Sequence, residues 1–379
     1  MKATIIGAGN IGRGFLGQLL AEAGAAITFV ELDEAVVAAL NERRGYDIQI
    51  VSDTSEVFHV PIAGAVSSTD HDAVARAIAS ADVAATAVGA GALPAVAELL
   101  ARGITERFAR PAPTPLNVVV CENVIGSGPY VAALVEERVA RALRDRFRAE
   151  VGFATSVVSR MVPAPPPERR QADPLWIAVE PYCILPVDAG AFVGERPAVL
   201  GFRYVDNIDA LEEQKAYTHN AGHSMTAYLG HLHGHEYIWQ ATGDAGVRRA
   251  VEEALDETSR ALIARHGFDP AEQQAHVDDL FRRYRNRALG DTVQRVARQP
   301  IRKLHADGRL IGSARLVLEC GMSPVRVVDG IVAALRYDDP GDAEAVELQE
   351  TIRAEGVGAA LTKFCGLDED EWLALIGEG

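Results

Sequence analysis

Cysteine is scarce and scattered. Cys121, Cys183, Cys320 and Cys365 are the four in 379 residues, with no CxxC pair and no spacing that suits a metal. A disulfide framework is therefore not expected, and a reducing cytoplasm is. Long apolar runs are missing too: none approaches the roughly 18 to 20 residues a membrane helix needs, and the first residues show no basic segment leading into an apolar signal core. Positive charge is in deficit. The chain carries 37 Lys and Arg against 53 Asp and Glu, a formal net charge of −16, which repels nucleic-acid phosphates and anionic membranes. Neither nucleic acid nor membrane is expected as a partner, and the sequence leaves the oligomeric state open.

What is present is the material of an ordinary globular protein, 48% hydrophobic and 24% charged, long enough for two domains. In the first half short apolar runs alternate with helical periods: KATIIG, GRGFLGQLLAEAG, AAITFVELD, EAVVAALNERRG, then ADVAATAVG, LPAVAELLARGI and LNVVVCEN. This alternation predicts an α/β, Rossmann-like doubly wound sheet. After residue 150, EVGFATSVVSRMV and LWIAVEPYCIL read as extra strands added to that sheet. From about Asp206 onward helical periods dominate, over 208–230, 244–266, 270–284, 291–298, 310–319, 325–336 and 342–356. The expected division is residues 1–200, an NAD-binding Rossmann-like domain, and residues 201–379, a mostly α-helical substrate and catalytic domain.

IIGAGNIGRGF places Gly7, Gly9 and Gly12 in the spacing G-x-G-x-x-G after a strand and at the opening of a helix. The first glycine permits the tight turn, the second lets backbone approach a pyrophosphate, and the third allows close helix–strand packing. Gly7, Ala8, Gly9, Asn10, Ile11 and Gly12 are thus the expected cofactor loop. Glu31 ends the second strand, where a carboxylate accepts from ribose hydroxyls and repels a 2′-phosphate, so NAD is expected over NADP. Asp33 suits the N-cap of the following helix. Val88 and Gly89 close another strand at the same sheet edge, either approaching the cofactor or forming a glycine turn. Asn123 closes the next strand, as a site residue or as a helix cap.

Two features of the second half remain. Residues 282–309 hold nine basic residues (Arg282, Arg283, Arg285, Arg287, Arg295, Arg298, Arg302, Lys303, Arg309) against Asp291 and Asp307, a local balance of +7. Either this is a solvated face or some of it receives an anion. KAYTHNAGH places Lys215, Asn220 and His223 at offsets of zero, five and eight. At about 100° per residue all three fall on one side of a helix. A base, donors for developing alkoxide charge and a hydride acceptor are what alcohol oxidation requires.

EEQKAYTHNAGHSMTAYLG resembles the K-x4-N-x2-H signature of the polyol-specific long-chain dehydrogenases, and the likeness extends over almost the full chain. The start MKATIIGAGNIGRGFLGQLLAEAG, the segment RYRNRALGDTVQRVARQPIRKL and the short length most resemble those members that act on a hexitol phosphate. The resemblance implies NAD-dependent, metal-independent interconversion of a sugar alcohol phosphate and a ketose phosphate, or of another polyol or hexuronate. By that similarity Lys215 is the general base, Asn123 and Asn220 form the oxyanion hole, and His223 holds the substrate. Arg295 and Lys303 fall on positions that contact the polyol in relatives. Arg298 and Arg302 are the further candidates for the phosphate, because arginine forks match its oxygens. A lysine titrating near 10.4 needs desolvation or a nearby cation, expected to be Arg295, to act near neutrality. One departure stands out: Ser159 occupies the place before Arg160 where relatives carry an acid. The histidines of GHLHGHE do not make a metal motif, since Trp239 stands where HExxH needs its second histidine and only His231 and His235 would share a helical face. A non-catalytic NAD-binding sensor is the alternative of another class; retention of Lys215 and Asn220 argues against it.

Overall fold

The computed structural model describes residues 1–111 and 113–376, in two compact units, Met1–Leu211 and the chain from Glu212 onward. The strands of the first unit are β1 (Lys2–Ile6), β2 (Ala26–Glu31), β3 (Gly45–Val51), β4 (Ser55–Pro61), β5 (Gly64–Ser67), β6 (Val83–Thr86), β7 (Leu116–Val120), β8 (Val151–Thr155), β9 (Ile177–Val179), β10 (Leu185–Asp188) and β11 (Phe202–Val205). Its helices are α1 (Gly17–Glu22), α2 (Glu34–Arg43), α3 (His71–Ser80), α4 (Leu93–Phe108), α5 (Ser127–Arg138), α6 (Arg144–Glu150) and α7 (Pro167–Ala172).

Six strands form a parallel sheet in the order β5-β2-β1-β6-β7-β8. The chain winds outward from β1 in both directions, the doubly wound arrangement that opens a crevice beyond the carboxyl ends of β1 and β6. Both faces are covered, which is why the strands read as unbroken apolar runs. Ile5 packs with Phe15, Leu19 and Phe29 on one face, while its neighbour Ile6 packs with Leu93, Leu100 and Val118 on the other.

Of the extra strands expected after residue 150, β8 does extend this sheet, pairing with β7 from Leu116↔Val151 to Val120↔Thr155. The later segment does not. Within it β9 runs parallel to β3, whose other edge pairs with β4 in an antiparallel hairpin, and β10 with β11 makes a separate parallel pair. The reason is packing on the first helical turn. A Cβ at Gly14 would lie 2.8 Å from Ile177 and 3.0 Å from Val179, and the buried Tyr46 of β3 donates its hydroxyl to the Arg13 carbonyl at 2.8 Å. The small sheet is therefore a second layer over the start of that helix.

The helical stretch α8 (Ile208–Gln214) leads into the second unit. There follow α9 (Ala221–Leu232), α10 (Ile238–Gly243), α11 (Ala245–His266), α12 (Pro270–Tyr284), α13 (Val293–Ala297), α14 (Pro300–Leu304), α15 (Ile311–Glu319), α16 (Val325–Leu335), α17 (Ala343–Glu355), α18 (Val357–Cys365) and α19 (Glu369–Ile376). Aspartates start the longer helices: Asp244, Asp269 and Asp342 accept from first-turn amides of α11, α12 and α17. The core gathers Met225 and Tyr228 of α9, Val251 and Leu255 of α11, and Ile331 of α16, each no more than 1% exposed. Among the described residues no helix is long and apolar enough to cross a membrane.

Candidate active site

At the carboxyl end of β1 the glycines divide into two kinds. Gly7 has φ +101°, and a Cβ there would sit 2.5 Å from the Ala87 carbonyl; one at Gly12 would sit 1.9 Å from the Gly7 carbonyl. Neither place admits a side chain. Gly9 and Gly89 are the opposite case, since a Cβ at either meets nothing within 4 Å. Crowded glycines close the turn, and open ones leave bare backbone at the point where the strand order reverses. The residues here fit a dinucleotide: Asn10 and Ile11 open a helix whose N-terminus faces this crevice, the geometry that receives phosphate.

Glu31 stands beside the turn. One of its carboxylate oxygens accepts from the Ala8 amide at 2.7 Å, the other from the amides of Leu32 at 2.7 Å and Asp33 at 3.0 Å. Three of about four acceptor sites are used, which leaves one for a ribose hydroxyl. Asp33 caps α2, accepting from Ala35 at 3.0 Å.

Two charged residues that sequence reasoning passed over hold these parts in place. Arg13 is 5% exposed and donates Nε to the Ala8 carbonyl at 2.6 Å. Burial lowers its guanidinium below the usual range, with Tyr46 and Glu31 opposing that shift. Glu122, also 5% exposed, accepts from the Thr86 hydroxyl at 2.6 Å and the Val88 amide at 2.9 Å, tying the end of β7 to the end of β6. Asn123 is the next residue, exposed at this sheet edge. Ser159 is buried, and Arg160 after it spends its guanidinium on the carbonyls of Glu180 and Gly14 and on Gln18. That arginine is an internal brace of the first unit.

In the second unit Lys215 to Asn220 form a π-helical turn between α8 and α9, with the Ala221 amide bonded to the Ala216 carbonyl five residues back. In a π turn an offset of five spans little more than one revolution. Lys215 and Asn220 therefore stack more closely in azimuth than the 100° rule places them. Lys215 is displaced to about 7 by burial first and by Arg309 second, with Glu212 opposing. The expected neighbour Arg295 is not the cause, because it is committed elsewhere: its Nε donates to Asp291 at 2.7 Å, and its Nη2 meets the same oxygen. The other Asp291 oxygen lies 3.0 Å from His223 Nε2. Asp291 is 6% exposed. Burial pushes its carboxyl up, but His223 and Arg295 outweigh this and hold it below the ordinary range. The His223 ring stacks on Tyr284 at 5.0 Å. Thus Lys215, Asn220 and His223 share one helical stretch, with Asp291 as a brace the sequence showed only as one acid among many bases.

The remaining cations surround Lys303, which is 4% exposed and donates to the Arg298 carbonyl. Burial and then Arg309, Arg302 and Arg298 bring it down to about 6, with Asp342 opposing. Arg309, one of the nine bases of that segment but not among its candidate site residues, is brought down to about 10 by burial and Arg302, and reaches Ser224 Oγ at 3.4 Å. Arg298 and Arg302 are exposed. Among the described residues no carboxylate pairs with the guanidinium of Arg298, Arg302 or Arg309.

A glycine turn at the switch point of a doubly wound sheet, an acid at the end of its second strand and a buried lysine of lowered pKa define a Rossmann-type oxidoreductase. The profile described as mannitol dehydrogenase Rossmann domain matches residues 1–201, and that described as mannitol dehydrogenase C-terminal domain matches residues 207–364. The chain belongs to the mannitol dehydrogenase family. Among solved structures it is similar to Pseudomonas fluorescens mannitol 2-dehydrogenase in ternary complex with NAD and D-mannitol, with a TM-score of 0.80 at 18% identity over 99% of this chain and 89% of that one. It is similar also to a substrate-free D-sorbitol dehydrogenase, with a TM-score of 0.74 at 17% identity over 94% of each. An octopine dehydrogenase with NADH and agmatine follows at a TM-score of 0.52 and 14% identity over 97% of this chain and 98% of that one.

Proposed function

We propose that this protein is an NAD-dependent polyol dehydrogenase and, within that class, a mannitol-1-phosphate 5-dehydrogenase that interconverts D-mannitol 1-phosphate and D-fructose 6-phosphate. NAD, when bound, takes up and returns the hydride. Gly7, Ala8, Gly9, Asn10, Ile11, Gly12, Val88 and Gly89 give the cofactor its backbone cradle, and Glu31 selects it over NADP by its charge. Lys215 removes the hydroxyl proton in oxidation and returns it in reduction. The carboxamides of Asn123 and Asn220 donate to the substrate oxygen as charge grows on it, and His223, held by Asp291, orients the carbinol. A base titrating near 7 is suited to both directions at neutral pH, which supports the role given to Lys215.

The phosphorylated substrate rests on one observation. Arg298, Arg302 and Arg309 lie around buried Lys303 without carboxylate partners, in a chain with 53 acids to choose from. Unpaired guanidinium groups in such surroundings suit an anion. Arg295 and Lys303 contact the polyol chain in this reading. If the exposed Arg298 and Arg302 are merely solvated, an unphosphorylated polyol or a hexuronate is the substrate instead. NADH consumption with fructose 6-phosphate, fructose, tagaturonate and fructuronate separates these. Fructose 6-phosphate is expected to give the highest kcat/KM; equal values for it and fructose reject the phosphate reading.

A further inference from the structure

The histidines set aside in sequence converge with an acid in an unexpected way. Helix α9 stops at Leu232, so His231 and His235 do not share a helical face; His231 instead packs edge-on against Tyr337 at 4.8 Å. Gly234, with φ +76°, turns the chain, and the His235 amide returns to the Gly230 carbonyl at 2.9 Å. This brings the rings of His233 and His235 to Asp244 at the start of α11. His233 Nδ1 is 3.3 Å and His235 Nε2 3.2 Å from Asp244 Oδ2, and the three atoms lie within 4.8 Å of one another.

We propose that His233, His235 and Asp244 form a surface site for one divalent transition-metal ion of the zinc class, tying the end of α9 to the start of α11. Charge-assisted imidazolium–carboxylate bonds run at about 2.7–2.9 Å, shorter than both separations. Ligands at about 2.0–2.1 Å from a tetrahedral zinc ion stand roughly 3.3 Å apart, which both imidazole–carboxylate edges match. The imidazole–imidazole edge closes by rotation of His233, whose side chain is 47% exposed. Asp244 Oδ1 is already fixed by the amides of Gly246 at 2.8 Å and Val247 at 3.1 Å, so Oδ2 is oriented before any ion arrives, as outer partners of metal ligands do elsewhere. Water completes the fourth position. Two imidazoles and a carboxylate suit zinc, nickel or copper rather than calcium or magnesium. The 12 residues of α9 put the site roughly 18 Å along the helix from Asn220, so the ion serves stability and no hydride step.

The test uses tag-free full-length protein stripped with EDTA. Zinc is titrated against a chelating dye, and cobalt by visible absorption. One equivalent of zinc is expected to bind and raise the Tm, and cobalt to give a tetrahedral spectrum without thiolate charge-transfer bands. Asp244→Asn keeps a residue able to cap α11, and with His235→Ala it is expected to lose at least the roughly 10–100-fold in affinity that loss of an outer partner costs. His231→Ala is expected to bind as wild type. Should Asp244→Asn fail to fold in EDTA, His233→Ala and His235→Ala decide. No stoichiometric uptake, unchanged affinity in the ligand variants, or a thiolate band overturns the site.

Discussion

In the proposed mechanism Lys215 sets the pH behaviour of the reaction. Its amine is lowered to about 7, so the free base accumulates as pH rises through that value: kcat for polyol oxidation should climb across it, and kcat for ketose reduction should decline as the acid form is lost. Lys215→Ala is expected to cost about 10²–10⁴-fold in kcat, measured with saturating NAD, and a variant retaining most of its turnover rejects the role. Arg309→Gln removes the second cause of the shift and leaves the first. The oxidation profile should therefore move to higher pH without reaching the roughly 10.4 of a free lysine. At this scale the residues proposed to react stand in the K-x4-N-x2-H pattern, whereas their supports were not legible in the sequence. Asp291, Glu122 and Arg13 are buried charges held by a histidine distant in sequence, by a strand-end amide and by a backbone carbonyl, and in a string of letters they look like any surface charge.

Helices show where spacing rules succeed and fail. The alternation of strand and helix named the six-stranded sheet, since strands buried on both faces have no polar positions to hide. The three residues of β9 and the five and six of α14 and α10 are too short to show a period twice. The π turn escaped notice because a run of helical residues carries no mark of one changed hydrogen-bond register. In the first unit Gly12→Ala drives a methyl into the Gly7 carbonyl, and a loss of about 1–3 kcal/mol or more is expected by denaturant unfolding. Gly9→Ala meets open space and should unfold like wild type while binding NAD about tenfold more weakly, near 1.4 kcal/mol.

For the molecule as a whole, a net charge of −16 makes the cations around Lys303 an exception in a repulsive field. If they receive a phosphate, the KM for fructose 6-phosphate should rise between about 20 and 200 mM salt as screening shortens from roughly 20 to 7 Å, while that for fructose stays level; parallel behaviour would place the cations outside the substrate site. The family and the two-part architecture were readable because they repeat over the whole length, from the glycine turn to the signature lysine. The three amides gathered by Glu31 have an evolutionary consequence. Discarding that acid to admit a 2′-phosphate would also strand the amides on which the loop depends, so a lineage of such proteins cannot drift to the other coenzyme by one substitution and must first acquire a replacement acceptor.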